Sequence, residues 1–160
     1  MNKNTSLLSN DNAIELPINI VVMLVIGMVA LAALIAIIPP PTKNMSVNID
    51  ESGLGHSDMS PGNTIIVDAA TAEDPLEITV RITATDPDGN PVRDANVVLR
   101  GMGGVATGTT DMHGTATLVT DPARVKLGAN QNEGTMDLKI SANGFYDYEK
   151  KDAVMVVKTR

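Results

Sequence analysis

One stretch fixes more about this chain than any other. From Ile18 to Ile38 it reads INIVVMLVIGMVALAALIAII, and from Ile20 onward no side chain in it is polar. At about 1.5 Å per residue, such a helix is roughly 31 Å long, close to the hydrocarbon thickness of a bilayer. A backbone in lipid must satisfy its own hydrogen bonds, so a run this long and this apolar reads as a membrane helix. A cleaved secretory signal fits less well. The run exceeds the usual ~7–15 apolar residues, and Pro39-Pro40-Pro41 follows it where a small-residue cleavage site would stand.

The segments on either side set the organisation. Residues 1–17 form a short polar leader, expected to be cytoplasmic; Lys3 and Lys43 give little charge asymmetry, so the orientation rests on the size of the folded part. Residues 39–63 read as a proline-started stalk, rich in Gly, Ser, Asn and Asp, in which Val47 and Ile49 have the makings of a short strand. Residues 64–160 read as one small extracellular domain. Cysteine is absent and the aromatics are only Phe145, Tyr146 and Tyr148, so the core must be aliphatic. Residues 39–160 carry 11 basic and 17 acidic side chains, a balance of −6, which argues against nucleic acid or anionic lipid as a partner.

Period-two alternation runs through the domain. Leu76, Ile78, Val80, Ile82 and Ala84 alternate with Glu77, Thr79, Arg81 and Thr83. Strands are expected at 64–69, 76–84, 92–100, 108–111, 115–120, 135–142 and 153–158, with a further short one at 124–127. Turns fall at Asp86-Pro87-Asp88-Gly89-Asn90-Pro91, Gly101–Gly104, Met112-His113-Gly114 and Asn143-Gly144. About seven short strands at this spacing mean an all-β fold, a Greek-key sandwich of two sheets preceded by one transmembrane helix.

Two family resemblances rest on these residues. The polar leader, then Ala13-Ile14-Glu15-Leu16-Pro17, then the aliphatic helix resemble the N-termini of archaeal type IV pilin-like proteins over about residues 10–38. That resemblance implies removal of the leader by a prepilin-type peptidase, a helix packed in a filament core, and Glu15 paired with a neighbour's terminal amine. Read from the residues alone, Glu15 is an interfacial helix-start acid beside Pro17, and the helix an uncleaved anchor. The second resemblance covers about residues 76–158. VRITATDPDGNPVRDANVVLRG, GTTDMHGTATLVT and GTMDLKISANGFYDYEKKDAVMVV look like the carboxypeptidase regulatory-like and bacterial Ig-like (transthyretin-like or Ig-like) sandwiches. These serve as spacers, adhesion modules or accessory domains and carry no peptidase chemistry.

Candidate sites are few. Gly27, Ala32 and Ala36 are small helix residues that let another helix approach, Ala32 and Ala36 at small-xxx-small spacing. Asn44-Met45-Ser46 is an N-glycosylation sequon, and Asn4-Thr5-Ser6 a second on the expected cytoplasmic side. Asp86, Asp88 and Asn90 offer oxygens but lack the later Glu of a calcium loop, so a hairpin turn is expected and weak calcium binding stays open. His56 stands in a loop near Asp58, and His113 in a turn beside Asp111. A metal site at His56 would need convergent ligands, and catalysis at the Asp111–His113 pair a nucleophile and a pocket, so no enzyme, cofactor or metal centre is expected. The Gly-rich run from Gly101 opens no helix and so forms no phosphate cradle. The expected partners are the lipid bilayer, other copies or other membrane helices, and surface-layer or cell-surface contacts. Three roles fit: a membrane-anchored structural or adhesive surface protein, a pilin-like filament subunit, or an accessory stator-like subunit of a surface complex.

Overall fold

The structure, a computed structural model, describes residues 18–37, 42–122 and 124–159. They fall into two compact units. The first contains helix α1 (Ile18–Ile37), whose side chains are all exposed. The leader with Glu15, the expected last helical residue Ile38 and the three prolines lie outside the described residues.

The second unit is an all-β sandwich of strands β1 (Ser46–Leu54), β2 (Asp58–Pro61), β3 (Thr64–Val67), β4 (Ile78–Thr85), β5 (Asn96–Gly101), β6 (Gly104–Thr109), β7 (Thr115–Val119), β8 (Glu133–Ser141) and β9 (Tyr148–Lys158). One sheet has the order β2-β1-β4-β7 and the other β3-β9-β8-β5-β6. β4 hands over to β5 in the opposite sheet, β5 and β6 form a hairpin, and β7 returns beside β4. This is the expected Greek-key crossing. Every pair is antiparallel except β3 with β9.

The alternation in the sequence becomes the core. Ile78, Val80, Ile82 and Ala84 of β4 face Val97, Leu99, Met136, Leu138 and Ile140 of the opposite sheet's strands, and all are fully or almost fully buried. Phe145 and Tyr148 pack against the margin of this cluster. The β5–β6 connection is a two-residue turn at Met102 and Gly103, with φ of 51° and 84°, the geometry that matches the twist of a hairpin.

The structure corrects the sequence boundaries at several places. The expected stalk at 39–63 is in large part sandwich, because β1 lies between β2 and β4 and β2 forms a sheet edge. The sequence showed β1 only at Val47 and Ile49, because its later polar side chains find most of their partners on neighbouring segments. Glu51 accepts from Arg81 at 2.8 Å, Asp50 accepts from the Thr83 hydroxyl at 2.6 Å, and the Ser52 hydroxyl donates to the Gly62 carbonyl at 2.8 Å. A bulge at Asp50 shifts the register between Ile49 and Glu51. The strand expected from 92 begins at Asn96, since Asp94 takes a left-handed φ of 54°. The polar strand expected at 108–111 is the end of β6. No strand forms at 124–127; Val125 and Leu127 are buried from an irregular segment, and the Val125 carbonyl accepts from Leu76 N–H at 2.8 Å. The last strand starts at Tyr148, ahead of the expected 153, and its pairing with β8 is interrupted near Asp152.

Candidate functional site

The sandwich has two differently built ends. At the entry end, where the chain arrives at Lys43, four connections meet: residues 42–45, 86–95, 110–114 and 142–147. Backbone bonds join them. Lys43 N–H donates to the Gly144 carbonyl and Tyr146 N–H to the Lys43 carbonyl, each at 2.9 Å. Ala84 N–H donates to the Gly114 carbonyl at 2.8 Å, and Asp94 N–H to the Thr110 carbonyl at 3.1 Å. The Thr110 hydroxyl ties the same place together, donating to the Val92 carbonyl at 2.7 Å and accepting from Ala95 N–H at 2.9 Å.

Asp86 organises the first turn. Its Oδ1 accepts from the backbone N–H of Asp88 at 2.9 Å and of Asn90 at 2.8 Å, and the Asn90 side-chain amide reaches both carboxylate oxygens. The Asn90 amide, above all, holds the Asp86 carboxyl below its ordinary range, helped by the two N–H groups and by the Lys43 ammonium. Lys43 Nζ lies 3.6 Å from Asp86 and 3.4 Å from Asp88. The cation facing these two carboxylates is therefore a lysine of the chain itself. Among the described residues, no three acidic, histidine or cysteine side chains converge on one point.

Asp111 repeats the pattern in the next turn. Its Oδ1 accepts from Thr115 N–H at 3.0 Å and His113 N–H at 2.8 Å, which lower its carboxyl in that order. The His113 ring lies exposed, Nδ1 3.6 Å from the Asp111 carboxylate. His56 is exposed in the β1–β2 turn, its Nδ1 3.9 Å from the Glu77 carboxylate. The two histidines thus stand at opposite ends of the sandwich.

On α1, turning 100° per residue, Ala32 and Ala36 share one side with Val22, Val25, Val29 and Ala33. Gly27 lies about 140° from Ala32, on the side carrying Met23, Leu31 and Leu34, with open space around it. The three small residues singled out in the sequence therefore do not share one face. Asn44 is exposed just ahead of β1. The contributions that sequence reasoning missed are those of Lys43, whose position two residues after the proline stop was the available signal, and of Tyr146, which falls between the two aromatics that pack inward.

Residues 74–119, β4 through β7 with both Asp-centred turns, match a family described as a domain of unknown function, DUF7382. No curated protein matches the chain.

Proposed function

We propose that this is a membrane-anchored surface protein with a structural or adhesive role, in which α1 spans the bilayer and the sandwich is displayed outside the cell. The observation that carries the reading is a division of apolar surface. The core cluster draws its residues from Met45 to Val156, while every residue of α1 is left exposed. A helix of 20 residues with Asn19 as its one polar side chain needs an apolar medium, and the sandwich fills its own interior without it. The Ig-like or carboxypeptidase regulatory-like resemblance supports a non-catalytic spacer or adhesion module. Both histidines sit exposed in turns beside a single acid, an arrangement that supports turn roles.

The test is extraction and shaving. The full chain should stay in membranes through alkaline carbonate, and protease added to intact cells should digest the sandwich. Release by carbonate would refute the anchor, and digestion only after lysis would refute external display. Placing arginine at both Val25 and Val29 should abolish membrane retention while the sandwich still folds.

A second reading, a pilin-like filament subunit, is favoured by the uneven girth of α1. Val22, Val25, Val29, Ala32, Ala33 and Ala36 gather on one side, opposite Met23, Leu31 and Leu34, which lets helices approach along the slimmer side. Intact mass of the native protein separates the two readings. Loss of the leader together with filaments in sheared fractions supports the subunit, and a full-length chain confined to membranes supports the anchor. Glu15→Gln should block filament assembly only in the subunit reading.

A further inference from the structure

The strands at the edges of the two sheets are guarded unequally. β2 is four residues long and carries Asp58 and Pro61, and β3 is four residues long and runs into Asp68. On β7, Asp111 takes the outer backbone groups of Thr115: its carboxylate accepts from Thr115 N–H at 3.0 Å, and its own N–H donates to the Thr115 carbonyl at 2.9 Å. Short length, charge and proline are devices that keep a sheet edge from pairing. β6 has none of them. It is six residues long, and from Gly101 to Thr110 the chain has no charged side chain and no proline. The two-residue turn before it fixes which way its backbone points. Gly101 and Gly104 close the hairpin as a hydrogen-bonded pair, so Ala106 and Gly108 also face β5. The N–H and C=O groups of Val105, Thr107 and Thr109 therefore point away from the sheet. All three residues are exposed. The inner side of the strand is firmly seated: a Cβ on Gly104 would run into Val125, and one on Gly108 would press on Leu118.

We propose that β6 pairs with β6 of a second copy of this chain, antiparallel about a two-fold axis through Thr107, joining the two five-stranded sheets edge to edge. The strand is self-complementary in this register. Thr107 stands opposite Thr107, and Val105 opposite Thr109 on both flanks. The outward groups then match in about six hydrogen bonds, and β-branched side chains meet in cross-strand pairs. The contact closes on itself, since each copy uses up its own edge. Charge points to the same strand. Residues 39–160 carry a balance of −6, so two copies come together most easily where no like charges face each other. The pairing concerns the sandwich alone and does not depend on what α1 does.

The chain has no cysteine, so introduced thiols report alone. Full-length single-cysteine variants in detergent micelles are oxidised with copper phenanthroline. Thr107→Cys should form a disulfide-linked dimer by itself. Val105→Cys and Thr109→Cys should each stay monomeric, because like positions lie roughly 14 Å apart in this register, beyond the ~7 Å that a disulfide tolerates. Mixed together, these two should crosslink. Thr107→Lys added to both should abolish the mixed crosslink by setting two ammonium groups opposite each other. Position 107 is exposed, so that substitution should leave the denaturant midpoint unchanged. Absence of a Thr107→Cys dimer overturns the proposal. So does crosslinking of Val105→Cys or Thr109→Cys alone as fast as the mixture, which would mean random collision or association through α1. A mixed crosslink that survives Thr107→Lys overturns it as well.

Discussion

Single residues hold the entry end together, and two of them make sharp predictions. The Asp86 carboxyl is held below its ordinary value of 3.8 by bonds that exist only in the folded chain. A carboxyl with a depressed folded pKa contributes stability that is fully present above its unfolded value and is lost as pH falls through the folded one. Asp86→Asn should therefore be less stable than wild type at neutral pH, and the gap should narrow below pH 3.8; urea midpoints measured at neutral and acid pH check this. Gly114 is the second. Its φ is +75°, and a Cβ there would run into the Ala84 carbonyl oxygen and Pro91. A left-handed residue with a side chain costs of order 1–3 kcal/mol before any clash. Gly114→Ala should lower stability by at least about 2 kcal/mol by chemical denaturation, whereas Gly89→Ala, with φ +84° but open space, should cost less.

Among the elements, β1 is the least expected and the most exposed to a wrong boundary. It is a central strand, paired with β4 from Ser46–Thr85 to Leu54–Ile78 and with β2 on its other side. A chain beginning at Thr64, where the sequence places the domain, loses both strands and bares β4 along its length. It should be aggregated or molten by near-ultraviolet circular dichroism and heat-capacity scanning, while a chain beginning at Thr42 should unfold cooperatively. Element by element, strands whose inner face is aliphatic were legible: β4, β8 and the later half of β9 show the alternation plainly. β1 was legible only at Val47 and Ile49, since its second half, Asp50, Glu51 and Ser52, is compatible with a strand only once Thr83, Arg81 and Gly62 stand opposite. Nor was the irregular 124–127 segment, where alternating Val125 and Leu127 imitate a strand but are buried as two plugs under a loop.

At the scale of the molecule, the sandwich has two distinct ends. The chain enters beside Phe145, and β9 runs from that end to the other, carrying the chain out beyond Lys158. Asn44, exposed at the entry end, bears on the same geometry. If the sandwich is displayed outside a glycosylating cell, the native protein should carry a glycan-sized mass increment that Asn44→Gln removes.

By itself the sequence determined the apolar helix, the all-β class, the aliphatic core and the main turns, because each of these is a local pattern: a run, an alternation, or a Gly, Pro or Asp at a fixed offset. Only the tertiary structure decided that the supposed stalk is mostly two strands and that Lys43 is the cation facing Asp86 and Asp88. Its long-range decisions depend on groups 30 or more residues apart, Arg81 with Glu51 and Lys43 with Asp88, whose attraction appears only when strands or loops are brought side by side.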